Sequence, residues 1–181
     1  VGPSNGGFTP FGTRYENNRI ELELDNRVAR GWLLEAIERA TQTLHFQVYM
    51  ASDDELGRRV EGALADAGAR GVAVRVLIDG IGGGYFWSGT YERLREAGVP
   101  VDRFLHSYVP WKTPFLNLRN HRKVLVIDGR LAFTGGINIG HENLLATNPP
   151  HPVRDTHFRL EGPVVEQLVE VRQPRLRRAL G

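Results

Sequence analysis

His121 and Lys123 stand two residues apart in the run Asn120-His121-Arg122-Lys123-Val124-Leu125-Val126-Ile127-Asp128. On an extended strand, residues at i and i+2 point to the same face, so this spacing sets an imidazole nucleophile beside a cation. The chain is otherwise sparing with lysine: of its 23 basic residues only Lys112 and Lys123 are lysines. An ammonium is a compact point charge with three donors and a guanidinium is a planar fork, so lysine at this position suits a tetrahedral phosphate oxygen. A bare His-x-Lys is commonly an incidental pair on a surface strand, and here the surrounding residues decide the reading.

Four residues separate Lys123 from Asp128, and six more lead to Gly135-Gly136-Ile137-Asn138. This long spaced pattern resembles the HKD motif of the phospholipase D superfamily. Upstream, Ala36–Ala40, Asp54–Gly57, Arg70–Gly80 and Ala97–Val99 resemble the first half of bacterial cardiolipin synthases and related phosphatidyltransferases, and Arg154–Val165 continues the likeness downstream. It covers residues 20 to 170 or so.

A phosphodiester is a stable monoanion, so attack on phosphorus needs a good nucleophile, cancellation of phosphate charge and an acid for the departing alkoxide. His121 meets the first need, since imidazole with a free pKa of about 6.5 is largely neutral near pH 7. The resemblance implies that attack yields a phosphohistidine. Lys123 then neutralises the non-bridging oxygens, Asn138 donates its amide to them, and Gly135 and Gly136 let the backbone approach the phosphate. A nucleophilic histidine needs an acceptor behind its far nitrogen; relatives use an acidic residue about thirty positions downstream, which Asp155, 34 residues after His121, matches. Asp128 belongs to the catalytic motif but falls at a turn, where it is expected to organise the loop by hydrogen bonds rather than to handle protons. His45 reads as a core or site-wall residue, and His106, His141, His151 and His157 have no matching motif context. No histidine pair has metal-ligand spacing and the phospholipase D mechanism needs no metal, so neither metal nor cofactor is expected.

That mechanism uses two His-x-Lys segments, one attacking while the other protonates the leaving group, and this chain has one. Either two identical chains pair about a twofold axis, or the chain is the N-terminal half of a two-motif enzyme. The expected partners are therefore a phospholipid substrate, a homodimer mate or second phospholipase D-like half, and peripheral contact with a membrane. The leading function is a phosphatidyltransferase or phosphodiesterase acting on phospholipids, with a glycerol hydroxyl of phosphatidylglycerol or water as acceptor. A homodimeric nuclease using the same residues, and a non-catalytic module that keeps the fold, are the alternatives.

The 181 residues fit one domain. The absence of cysteine excludes disulfides and thiolate metal sites and leaves the redox compartment open. No stretch approaches the roughly 18 to 20 apolar residues of a membrane span, and no segment reads as a signal peptide; with the resemblance, this places the chain in the cytoplasm or at the periphery of the cytoplasmic membrane. The net charge is +2, and four arginines in residues 171–181 more than account for it. With the remainder near −2, composition argues against a nucleic-acid partner.

The elements that position the motif follow from periodicity. Residues 1–18 read as an irregular lead-in, 19–171 as one phospholipase D-like domain with a single HKD motif, and 172–181 as a basic tail. Strands are expected at 19–24, 43–50, 72–78, 99–104, 124–127, 131–134 and 156–160, with a hairpin turn at Asp128-Gly129. Helices are expected at 28–40, from Asp53-Asp54 to 69, at 89–97 and at 163–171, the first capped by Asp25-Asn26 and the last opened by Pro163. The early β-α-β-α-β alternation implies a largely parallel, helix-covered sheet. The expected fold is α/β, a phospholipase D-like α-β-α sandwich with a mostly parallel central sheet and helices on both faces. Gly80–Trp87 lacks the dinucleotide glycine spacing and reads as a rim loop or a plain turn. The aromatic stretch His106–Leu118 is either an apolar rim for acyl chains or loop packing.

Overall fold

The structure, a computed structural model, describes residues 16–49, 55–79, 89–104, 121–136 and 155–170. Most of the lead-in, the basic tail, the segments 80–88 and 105–120, and Asn138 lie outside these residues.

Seven strands and four helices follow in the order β1 (Arg19–Glu23), α1 (Asn26–Arg39), β2 (Thr43–Val48), α2 (Glu55–Ala69), β3 (Ala73–Asp79), α3 (Gly89–Glu96), β4 (Val101–Phe104), β5 (Val124–Ile127), β6 (Leu131–Gly135), β7 (His157–Glu161) and α4 (Val164–Glu170). Asp25 caps α1 by accepting from the Arg27 N–H at 2.9 Å, as Asp at an N-cap does for an otherwise unpaired helix donor. In α2 the buried residues Gly57, Val60, Glu61, Leu64 and Ala67 form one helical stripe. The buried Glu61 carboxylate is held by both arms of Arg93 from α3, at 2.6 and 2.9 Å, which offsets the cost of taking a charge out of water.

All seven strands join one sheet in the order β1-β7-β6-β5-β2-β3-β4. The α/β class and the helices on both faces hold, but the expected mostly parallel sheet does not: it is mixed. Only β2-β3 and β3-β4 are parallel, whereas β1-β7, β7-β6, β6-β5 and β5-β2 are antiparallel. The parallel rule applies where a helix carries the chain back over the sheet, as α2 and α3 do. β5 and β6 instead join through a tight turn with Asp128 and Gly129 at φ 50° and 64°, and a tight hairpin can only reverse direction.

Alternation along β5 feeds two cores. Leu125 and Ile127 join the larger cluster beneath α1, α2 and α3, while Val124 and Val126 join Ala132, Leu160 and Val165 beneath α4. Among the described residues no helix is long and apolar enough to cross a membrane.

Candidate active site

The register gathers one end of the sheet into a site. β5 runs against β2 with Val124 opposite Gln47, β6 ends against it with Thr134 opposite Val124, and β7 starts with His157 opposite Gly135. His121 and Lys123 precede β5, Gly135 and Gly136 close β6, and Asp155 leads into β7, so five of the expected residues converge from distant parts of the chain.

Lys123 is buried, with 6 % exposure. Its Nζ lies 3.2 Å from His121 Nδ1 and 3.4 Å from the His121 carbonyl oxygen. Burial lowers its pKa from the ordinary lysine value, and the charge of Asp155 works against that shift. An ammonium only donates, so Nδ1 accepts here and the proton of a neutral ring sits on Nε2. Tyr49, at the end of β2, braces the pair, its ring centroid 4.3 Å from that of His121 and 5.3 Å from Lys123 Nζ. Thr134 donates its hydroxyl to the Lys123 carbonyl at 3.1 Å, fixing the approach to β5.

Asp155 is close enough to act electrostatically on Lys123 and His157, yet it is not hydrogen-bonded to His121. Its Oδ1 accepts from the Thr156 N–H at 3.1 Å. The expected orienting bond is thus not formed in this arrangement, in which Lys123 occupies Nδ1. The two glycines have a packing role that sequence reasoning did not anticipate. A Cβ on Gly136 would overlap the Asp155 carboxylate, and one on Gly135 would overlap the Thr156 carbonyl and come within 2.7 Å of His157 Nδ1.

Asp128 is not at the site. It stands at the far end of β5, about 16 Å from Lys123 at some 3.3 Å per strand residue. Its carboxylate accepts from the N–H groups of Thr41, Gln42 and Thr43 and from the Thr41 hydroxyl, at 2.8 to 3.1 Å. Burial pushes its pKa upward, and these four donors outweigh that and hold it below the usual carboxylate range.

His157 is the residue sequence reasoning passed over. It is 3 % exposed, neither ring nitrogen has a hydrogen-bond partner among the described residues, and its ring lies nearly parallel to that of Phe133 with centroids 6.4 Å apart. Burial pushes its pKa down to about 4, against the pull of the Asp155 charge. The available signal was its i, i+2 spacing from Asp155 at the start of an alternating strand. His45, expected in the core or site wall, is half-buried on β2 opposite Val126.

A cleft of about 480 Å³ opens beside the pair, lined by His121, Arg122, Lys123 and Gly135 and by Gln167 and Leu168 of α4. The α4 wall is fixed by Val165, which is fully buried, and by Asn18, whose side-chain oxygen accepts from the Val164 N–H at 2.9 Å. Among the described residues no cluster of three His, Cys, Asp or Glu side chains could hold a metal ion.

The family described as "Cardiolipin synthase, PLD-like domain" matches residues 33–149, a span that includes the His121–Lys123 pair. This chain belongs to that family. Cardiolipin synthase A of Pseudomonas fluorescens strain SBW25 is 40% identical over 155 residues, covering 85% of this chain and 32% of the relative. The major cardiolipin synthase ClsA of Bacillus subtilis strain 168 is 38% identical over 154 residues, covering 84% of this chain and 32% of the relative. The chain therefore spans about a third of the length of these PLD-like relatives. Among solved structures, the phospholipase D family member Nuc from Salmonella typhimurium has the same fold, with a TM-score of 0.67 at 19% identity, covering 90% of this chain and 97% of that one.

Proposed function

We propose that this PLD-like domain supplies one half of the active site of a phosphatidyltransferase or phosphodiesterase acting on phospholipid head groups, in the manner of a cardiolipin synthase, and works through a phosphohistidine at His121. The observation that carries this reading is the His121–Lys123 pair, 3.2 Å apart at the mouth of a cleft, in a chain of the cardiolipin synthase family.

In this reading Lys123 turns from His121 to the non-bridging oxygens of the donor phosphodiester. Its departure frees Nδ1 to take the proton and face Asp155, and Nε2 becomes the nucleophile. Nε2 attacks phosphorus, the P–N bond forms as the P–O bond to the head group breaks, and the departing alkoxide takes a proton from the histidine of a second His-x-Lys motif. That histidine then deprotonates the acceptor hydroxyl, which displaces His121 and breaks the P–N bond. A lipid hydroxyl as acceptor gives transfer, and water gives hydrolysis. Asn138 donates to the phosphate oxygens, and Asp128 organises the β5-β6 turn without touching substrate. The partner is a second phospholipase D-like half or a second copy of the chain, and the working protein sits against the membrane that holds its substrate.

The full-length protein incubated with ³²P-phosphatidylglycerol vesicles and quenched rapidly should carry acid-labile label. His121→Ala should carry none and lose at least about a thousandfold in turnover. Unchanged turnover in that variant would remove His121 as the nucleophile. A homodimeric phosphodiesterase of nucleic acid is the second reading. It is favoured by the near-complete coverage of the Nuc chain, since a domain of this size makes up that whole chain. Cleavage of nucleic acid, with phosphatidylglycerol left intact, would select it.

A further inference from the structure

The residue between the histidine and the lysine has no part in the chemistry just described. Arg122 is exposed and lines the cleft between the motif and α4. Many described arginines stand against carboxylates, Arg93 with Glu61, Arg103 with Glu92 and Arg159 with Glu21 among them. Among the described residues Arg122 makes no ion pair, and no carboxylate lines the cleft beside it. Lys123 beside it also lines the cleft but is largely buried and held against His121, so of the two adjacent cations Arg122 is the exposed one.

We infer that this cleft is a second phosphate subsite, in which Arg122, with the Gln167 amide in the same lining, holds the phosphodiester of the lipid that supplies the accepting hydroxyl. The inference rests on the function proposed above and deepens it. Transfer between two phospholipids brings two phosphodiesters to one nucleophile. With the lysine of each His-x-Lys segment engaged at the reacting phosphorus, the acceptor's own phosphate is left without a cation. A guanidinium offers two parallel donors to the two non-bridging oxygens of a diester. Arg122 and His121 line the same cleft, so a phosphate held by Arg122 shares the open space beside the nucleophile. In a phosphatidylglycerol acceptor the free primary hydroxyl is a three-carbon span from its own phosphate, short enough to bridge neighbouring sites. The cleft volume lies within the roughly 300 to 1,000 Å³ common for small-molecule sites. Val124 and Leu168 give it an apolar flank for the less polar part of the head group.

The test uses the full-length protein on phosphatidylglycerol vesicles, where lipid transfer and hydrolysis of the same donor are measured together. Arg122→Gln should lower the ratio of transfer to hydrolysis by about ten- to a hundredfold, the range for loss of a charged hydrogen bond. It should also raise KM for the phosphate-bearing acceptor more than KM for free glycerol as acceptor. Arg122→Lys should recover part of the ratio, and Gln167→Leu should shift it in the same direction by less. An unchanged ratio overturns the subsite, as does an equal fall in transfer and hydrolysis, which would place Arg122 on the donor phosphate. Loss of pairing between halves or copies on a sizing column also overturns it, by making Arg122 an interface residue. If the wild-type protein turns over no phosphatidylglycerol, the parent reading falls and this subsite with it. Wild-type turnover with an unaltered variant ratio removes the subsite alone.

Discussion

His157 and His121 are a few residues from the same strand ends but live in opposite environments, one sealed beneath the site and one at its mouth. The pKa of His157 is pushed from the ordinary 6.5 down to about 4 by burial, so between those values the unfolded chain binds a proton that the folded one refuses. Stability must then rise with pH across this window; the contribution is fully present above pH 6.5 and is lost as pH falls toward 4. Its ceiling is about 3 kcal/mol, the pKa difference at 1.36 kcal/mol per unit. His157→Phe keeps a ring against Phe133 and removes two buried nitrogens without partners, a change that is often neutral or stabilising. Urea unfolding of both proteins from pH 8 to pH 4 should give a flatter curve for the variant, by up to that amount, and parallel curves would sink the assignment. His121 and Lys123 were legible from spacing alone because strand alternation is local. The bond between Lys123 and Nδ1, which sets the resting tautomer, was not.

At the scale of elements, Asp128 ties the β5-β6 turn to the entry of β2 across 85 to 87 residues of chain. Removing it leaves three backbone N–H groups without their acceptor. Asp128→Ala should therefore cost about 2 kcal/mol of stability, read as a lower urea midpoint, while turnover measured well below the unfolding transition stays near wild type. A fall in turnover of a hundredfold at full foldedness would instead make Asp128 part of the chemistry. Its contribution is complete above the unfolded carboxyl pKa of about 3.9 and is lost as pH falls through the lower folded value. Element type and place were readable along most of the described chain. The stripe of α2, the cap of α1 and the hairpin residues of the β5-β6 turn are signals written within one or two turns of backbone. Apart from the β5-β6 hairpin, strand direction was not readable beyond β4, because no nearby residue records which edge of the sheet a returning strand will join.

For the whole molecule the governing fact is that one His-x-Lys pair is half of the two-histidine arrangement the proposed reaction requires. Light scattering on a sizing column should give this chain twice its own mass if two copies complete the site, and such a dimer should turn over substrate. A monomer that turns over substrate would refute the two-histidine requirement. By itself the sequence determined the spacing that pairs His121 with Lys123, the order and kind of the elements, the α/β class and the family resemblance. All of these depend on residue identity and on periodicities a few residues long. Only the tertiary structure decided that Asp128 lies a strand's length from the chemistry, that Gly135 and Gly136 make room for Asp155 and His157, and that the sheet is mixed. It also put Arg122 and Gln167 in the lining of one cleft. Each of these depends on which distant strands lie side by side, a choice made by burying two apolar faces of one sheet at once, and no local pattern encodes it.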